Sequence, residues 1–422
     1  MKKILLAGIL LFSVPVFAQK TDTLTLTACQ QLAIENYPLI KQKDLLSASA
    51  DLRIKNLNTS YFPQLSLNGQ ATYQSAVTQI PQFSPLVSVP SISKDQYKLT
   101  VDLNQTIWDG GLTSAQKKLE ISGLQADKLN VDVQLATLKD RIDQIFFNIL
   151  LLQENEKIIK SVQDNLNSQI KKIEKSIKDE VQIQSNADVL KAELIKTDQQ
   201  LIEIANAKET AVKMLAEYLN KPVSENTVFK IPETEIAALV YDNKRPEMQL
   251  FDYQMNKLDV SKKLTTARIM PRFYAFGQTG YGRPGFNMLS NDFDFFYIFG
   301  AKLSWNISGF YQSGREKKII DIQKNLLDTQ KETFDKNLKI SSQKDMSDIT
   351  KYEQLIEKDS EIIKLRENIS RSAASQLENG IITATEYVTD FDAEIQAKLN
   401  SELHKIQLQM AKLNYLNSMG KL

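Results

Sequence analysis

From Phe293 to Gly309 the chain reads FDFFYIFGAKLSWNISG. Phe293, Phe295, Tyr297, Phe299, Ala301, Leu303 and Trp305 fall at every second position, with Asp294, Gly300, Lys302, Ser304 and Asn306 between them. A period of two sends the two sets to opposite faces of an extended strand. Three earlier segments carry the same signal. Leu65, Leu67, Ala71 and Tyr73 alternate with Ser66, Asn68, Gln70 and Thr72; Leu99, Val101 and Leu103 alternate with Lys98, Thr100 and Asp102; the segment from Phe273 to Tyr281 alternates less regularly. Strands of about 9 to 12 residues are long enough to cross a bilayer when tilted. A row of Phe and Tyr opposite a polar row suits a lipid-facing outside and a wet inside. Four strands cannot close a membrane barrel, which needs about eight, and hydrocarbon does not tolerate an open edge. Membrane strands of this kind therefore demand an oligomer, in which two, three or four copies give eight, twelve or sixteen strands.

Working outward, each strand pair leads into a Pro-free stretch, residues 112–178 and 311–378. Leu135, Leu138, Ile142, Ile145, Ile149 and Leu152 keep the 3-4 spacing of a coiled-coil seam. The second stretch is more polar. There Leu326, Tyr352, Leu355, Ile362 and Ile369 are separated by turns such as Ser341 to Lys344, which fits a helix with water on two sides. The landmarks recur about 200 residues apart: Tyr61-Phe62-Pro63-Gln64 answers to Ile269-Met270-Pro271-Arg272, and Trp108-Asp109-Gly110-Gly111 to Trp305 through Gly309. Two tandem copies of one plan follow. The first spans 19–222, with a hairpin at about 61–108, a long helix at 112–178 and a return helix at 186–220. A linker at 223–244 leads to the second, 245–422, with a hairpin at 271–305, a long helix at 311–378 and a return helix at 384–418. Trp108 and Trp305 stand at equivalent strand ends, where an indole keeps its N–H wet and its ring in lipid.

The N-terminus sets the compartment. Lys2 and Lys3 precede an apolar run from Ile4 to Phe17, and Val16-Phe17-Ala18 supplies small residues for cleavage after Ala18, so 1–18 reads as a secretory signal peptide. Leu26-Thr27-Ala28-Cys29 has the form of a lipidation box. Lys20 and Asp22 separate it from the apolar core, so Cys29 reads as a half-buried thiol at a helix start.

Among 422 residues there are 52 Lys+Arg, 51 Asp+Glu, one Cys and one His. That excludes disulfide scaffolds, Cys/His zinc sites and triads built on Cys or His. The interspersed charge gives no nucleic-acid footprint. The lone His404 reads as a surface or packed residue, not a ligand. No cofactor is expected.

These elements resemble the TolC family of outer membrane efflux proteins over essentially the whole mature chain. The resemblance rests on Leu24 to Pro38, Tyr61 to Leu65, Leu103 to Gly111, Arg245-Pro246-Glu247, Leu303 to Gly309 and Met419 to Leu422. It implies a mainly α fold with a membrane β part: a homotrimer closing a twelve-stranded barrel in outer membrane lipid, with the long helices forming a periplasmic α-barrel. It also implies a passive duct without catalytic residues, served by a periplasmic adaptor and an inner-membrane pump of RND or ABC type. Leu99, Val101, Leu103, Trp108, Phe293, Phe295, Tyr297, Phe299 and Trp305 become lipid-facing or interfacial. Glu386, six residues after Gly380, becomes the gate candidate, with Asp390 and Asp188 beside it, Asp188 matching Glu386 in the first copy. Gln182, taken to stand in the place of Gly380, joins Ser185, Gly380 and Thr383 as adaptor contacts, and Asn186 and Ser185 are expected to cap the helix that follows. The rival is a periplasmic coiled-coil structural or adaptor-like protein, against which two hairpin-plus-helix copies weigh.

Overall fold

The computed structural model describes residues 23–78, 93–224, 227–232, 245–288 and 290–421. The signal peptide expected over 1–18 and residues 225–226 and 233–244 of the expected linker lie outside them. The first half contains β1 (Thr23–Leu24), α1 (Leu26–Asn36), α2 (Gln42–Asn58), β2 (Gln64–Tyr73), β3 (Asp95–Trp108), α3 (Leu112–Lys178) and α4 (Gln184–Leu219). After β4 (Val228–Phe229) come α5 (Pro246–Arg268), β5 (Arg272–Arg283), β6 (Asp294–Ser304), α6 (Phe310–Glu378) and α7 (Ala384–Ser418). The chain is thus mainly helical with a few strands. Among the described residues no helix is long and apolar enough to cross a membrane.

The chain divides into two units. The helical unit takes the chain up to Tyr37, Thr137–Leu239 and Gln343–Leu416. The 3-4 stripe of α3 becomes its core: Leu138, Ile142, Ile149, Leu166 and Ile173 are buried, each contributing on the order of 1.5–3 kcal/mol. In α6, by contrast, Ile362 and Ile369 remain exposed. β1 pairs in parallel with β4, seating Phe229 edge-on against Phe146 with ring centroids 5.5 Å apart. Cys29 is fully buried in α1, and that burial pushes its thiol up to about 11. Beside it, Gln30 Nε2 donates to Oδ1 of the buried Asp143 at 2.6 Å. His404, half-buried, places Nδ1 2.7 Å from Oδ2 of the buried Asp359.

The sheet unit takes Pro38–Ala136, Val240–Ser342 and the chain from Asn417. Its four strands form one antiparallel sheet in the order β2-β3-β5-β6. The adjoining helices are tied in the same sequence. Lys43 pairs with Asp132 at 2.5 Å and Arg53 with Glu120 at 3.4 Å between α2 and α3; Lys257 of α5 lies over Gly123 of α3; Lys262 pairs with Asp321 at 2.7 Å and Lys324 with Asp259 at 2.8 Å between α5 and α6. The passage from β3 into α3 turns on Asp109. Its Oδ1 accepts from the Tyr61 hydroxyl at 2.8 Å and the Gly111 N–H at 2.9 Å, and its Oδ2 from the Thr113 N–H at 2.7 Å. Gly110, at φ 72°, has no room for a side chain, since a Cβ there would lie 2.5 Å from that of Met270.

Candidate functional site

Opposite residues of an antiparallel pair share a face, so the register of the sheet assigns every side chain. Leu65, Leu103, Gly277 and Phe299 form one row; Leu67, Val101, Thr279 and Tyr297 the next; Gly69, Leu99, Tyr281 and Phe295 a third. This face is apolar from edge to edge and open to its surroundings, with Phe299 77% and Tyr297 63% exposed. Tyr297 and Phe299 stack at 5.8 Å and Tyr281 and Phe293 at 5.7 Å. Trp108 tilts against Phe273, its centroid 5.9 Å away. Trp305 is half exposed and donates its Nε1–H to the Ile269 carbonyl at 3.0 Å, which gives the indole the polar partner it needs.

The opposite face is polar. Ser66, Asp102, Gln278 and Ile298 lie in register there, as do Asn68, Thr100, Gly280 and Phe296. Asp102 accepts from Gln278 Nε2 at 2.5 Å and from the Asn68 amide. Ser66, Asp102, Gln278 and Ile298, with Gln64, Lys302 and Ser304, line a trough of about 760 Å³. Here lies the reason why β5 alternates poorly in sequence. Phe276 faces Gly300, and Phe296 faces Gly280. A Cβ on Gly300 would stand 3.0 Å from the Phe276 ring, and one on Gly280 would stand 2.8 Å from that of Phe296. Rings on the polar face thus fill the space that glycines leave.

The second candidate site is the pair of helical turns at the end of the helical unit. Each turn ends its long helix with the same two bonds. Val181 N–H donates to Ser176 O at 2.9 Å and Glu180 N–H to Ile177 O at 3.1 Å; Ile381 N–H donates to Gln376 O at 2.9 Å and Gly380 N–H to Leu377 O at 3.0 Å. This is a Schellman stop with its left-handed residue at Glu180, φ 59°, and Gly380, φ 71°. The expected correspondence is therefore corrected by two residues. Glu180, not Gln182, stands in the place of Gly380, and Asn186, not Asp188, six residues on, answers to Glu386. Sequence reading followed the missing glycine and overlooked that a non-glycine can take the left-handed position.

Gln182 and Asn186 have other work. Gln182 Nε2 donates to Leu377 O at 2.5 Å, Asn186 Nδ2 donates to Gln182 Oε1 at 2.8 Å, and the Ala384 N–H donates to Asn186 Oδ1 at 3.0 Å. The first turn thus gives a carbonyl at the end of α6 a second donor and satisfies an orphan N–H at the start of α7. This corrects two expectations: Asn186 caps the helix of the second turn and not its own, and Gln182 is buried and so does not face a partner. Ser185 is exposed in α4. What the turns do present is aliphatic: Val181, Ile183 and Ile381 are exposed. Sequence reading missed all three, although an apolar residue just past a helix stop was the signal.

Glu386 and Thr383 form a reciprocal cap. The Thr383 N–H and hydroxyl donate to Glu386 Oε2 at 2.8 and 3.0 Å, and the Glu386 N–H donates back to Thr383 Oγ1 at 3.3 Å. The backbone N–H, then the hydroxyl, hold the Glu386 carboxyl below its usual range. Asp390 follows one turn later on the same side of α7. Asp188 is exposed on α4 and accepts from Gln184 Nε2 at 2.9 Å. Beneath the turns, Tyr387 is buried and donates to Asn165 Oδ1 at 3.1 Å. Among the described residues no group of three His, Cys, Asp or Glu could hold a metal ion.

Long paired helices stopped by twin turns, together with an antiparallel sheet that has one apolar and one polar face, define a mainly helical hairpin-and-sheet fold. Over 94% of this chain, the fold matches that of the outer-membrane channel OprN at TM-score 0.70 and 14% identity, covering 90% of that chain. It also matches the Campylobacter jejuni CmeC outer membrane channel at TM-score 0.67 and 12% identity, covering 94% of this chain and 85% of that one. The open state of the Neisseria gonorrhoeae MtrE outer membrane channel matches at TM-score 0.64 and 12% identity, with coverage of 94% and 88%. These neighbours are TolC-family outer membrane efflux channels. No family model matches the chain, and no curated relative does.

Proposed function

We infer that this chain is one subunit of an outer-membrane export duct. Three copies contribute four strands each to a twelve-stranded barrel, and the tandem helical hairpins line a tunnel through the periplasm. The duct is passive, with no catalytic residue, and works with a periplasmic adaptor and an inner-membrane pump of RND or ABC type. The observation that carries this reading is the sheet itself: an apolar face exposed across all four strands, a polar face behind it, and free edges at β2 and β6. Lipid covers the first, water wets the second, and a neighbouring copy pairs the edges. Glu386, with Asp390 one turn on, is the acidic ring of the constriction, and Asp188 stands outside it. The adaptor meets the exposed aliphatic turns near Ser185, Gly380 and Thr383.

The test is fractionation followed by planar-bilayer recording. The expected result is an outer-membrane trimer that resists SDS, with small steps that grow when Glu386→Ala is introduced. Recovery of a soluble periplasmic monomer overturns the duct, while a trimer whose conductance and divalent-cation block ignore Glu386→Ala removes Glu386 from the gate.

A further inference from the structure

The polar face of the sheet carries its charges in different company at its two ends. Far from the helices, Lys98 and Asp294 share a row across Gly282, and Lys98 Nζ sits 5.5 Å from the centre of the Phe296 ring. At the base, where α5 leads into β5 and β6 leads out to α6, the charged residues of this face are Lys302 and Arg272. Lys302 lies opposite Tyr274 and Arg272 opposite Ser304, so the two cations stand diagonally on neighbouring strands, about 7–8 Å apart. Like charges repel in that position, and no acid relieves them. Among the described residues neither makes an ion pair or a hydrogen bond. Asp102, the nearest carboxylate on the face, is four residues along β3 from Thr106, a rise of about 13 Å, and it is engaged by the amides of Gln278 and Asn68. On a wet surface at physiological salt, charges more than about 8 Å apart are largely screened. The two cations are therefore not neutralised.

The groups around them are donors as well. Thr106 lies opposite Tyr274 and Tyr274 opposite Lys302, and Thr106, Tyr274, Lys302 and Ser304 line the trough together. Among the described residues none of these three hydroxyls has a hydrogen bond. An ammonium, a guanidinium and three hydroxyls thus share one end of a concave, open wall with no acceptor of their own. Resting on the duct reading above, we propose that Lys302 and Arg272 form a basic belt at the base of the water-filled face, which binds multivalent anions bearing phosphate or carboxylate groups. The guanidinium supplies a flat two-pronged donor, the ammonium a mobile point charge, and the hydroxyls fill the remaining lone pairs of the anion. Three copies of the pair bring six cations to one belt. It concentrates anions along the wall, a preference opposite in sign to that of the acidic ring proposed at Glu386.

The test measures pyrophosphate on the full chain in two ways: block of single-channel steps in planar bilayers, and calorimetric binding to the purified oligomer, which needs no open gate. Binding and block are expected for the wild type, both weakening as salt rises from about 0.1 to about 1 M and the Debye length falls from about 10 to about 3 Å. Lys302→Gln with Arg272→Gln should raise the half-blocking and half-binding concentrations by about tenfold or more, and move the reversal potential in a potassium chloride gradient toward the cation value. Lys302→Arg with Arg272→Lys keeps both charges and should keep all three readings. Lys98→Gln removes a charge from the same face but beyond screening distance, so it should change pyrophosphate binding by no more than about twofold. Lys302→Gln alone alters one exposed side chain and should show part of the loss even where the double variant assembles poorly. An oligomer that binds no pyrophosphate, or whose binding ignores Lys302→Gln and the double variant, or loses as much with Lys98→Gln, overturns the belt and leaves the duct standing. A chain recovered as a soluble monomer overturns the duct and the belt with it.

Discussion

The amide of Gln182 reaches from the first helical turn to the carbonyl of Leu377 in the last turn of α6, 2.5 Å away. Asn186 extends the link to the N–H of Ala384, so one buried pair of amides finishes the ends of two helices that belong to the other hairpin. Removing either side chain strands buried polar groups, a loss of about 1–3 kcal/mol. Asn186→Ala and Gln182→Ala are therefore expected to speed hydrogen exchange at Ala384 and in the turn 379–383 by roughly an order of magnitude or more, since 1.4 kcal/mol is a factor of ten. Exchange confined to α4 would show that the link is local.

A different readout separates capping from gating at Glu386. Thr383→Val removes the hydroxyl that bonds Glu386 Oε2 but leaves the carboxylate and its charge. The expected outcome is faster exchange at the start of α7 with the cation sensitivity of the conductance retained. Glu386→Gln should remove the cation sensitivity while keeping part of the cap. The sign with pH follows. The folded carboxyl is held below its ordinary range, so its contribution is present near neutrality and is lost as pH falls through the folded value. Equal conductance phenotypes for the two variants would tie the gate to helix geometry and not to charge.

Asp143 runs in the opposite direction. Burial pushes its carboxyl up to about 6 against an ordinary 3.8, the Gln30 amide opposing and Asp140 adding to the rise. The fold thus holds this proton more tightly than the unfolded chain. The stabilisation is complete below about pH 4 and is lost as pH rises through about 6, an effect on the order of 3 kcal/mol. Asp143→Asn keeps an acceptor for Gln30 and carries no charge. It is expected to raise the melting temperature at pH 8 and to flatten the pH dependence between 4 and 7, as followed by circular dichroism. A melting curve for Asp143→Asn that still falls across that range would assign the slope to other groups.

In the sheet, Gly280 and Gly277 offer a paired comparison on one strand. A Cβ on Gly280 would stand 2.8 Å from both the Leu99 carbonyl and the Phe296 ring, whereas one on Gly277 has nothing nearer than 3.9 Å. Gly280→Ala is expected to cut the yield of assembled oligomer, and Gly277→Ala to leave it unchanged. Phe296→Ala should not rescue Gly280→Ala, because the Leu99 carbonyl still blocks the new methyl. Normal assembly of Gly280→Ala would mean that β3 and β5 move apart freely.

These pairs also mark how far sequence reading extends. The period-two run from Phe293 and the Pro-free seam of α3 were legible because each element shows a regular period against an asymmetric environment. The β5 strand was harder to read because Phe276 and Phe296 sit on the polar face, tolerated only where Gly300 and Gly280 stand across from them, and a cross-strand pair has no fixed spacing in sequence. At the helical turns the missing Gly misled, since Glu180 takes the left-handed backbone itself. Gln182 and Asn186 were legible as polar turn residues, but their partners lie about 200 positions away. Nothing local announces such a bond.

The apolar face decides whether the sheet meets lipid, and Phe299 is where the decision is sharpest. It is 77% exposed, it lies mid-strand, and its row neighbours Leu103 and Leu65 are exposed apolar residues too. In water such a face would be an aggregation surface; in hydrocarbon it is at rest. A lysine at the bilayer midplane costs about 2–4 kcal/mol, and almost nothing on a water-filled side. Phe299→Lys is therefore expected to reduce membrane-assembled oligomer sharply, while Ser66→Lys, one residue from Leu65 but on the polar face, is expected to assemble normally. The two variants add the same charge to the same sheet, so only the face differs. Equal yields, measured by heat-modified mobility of extracted membranes, would mean that water wets both sides, and the barrel reading would fall with them.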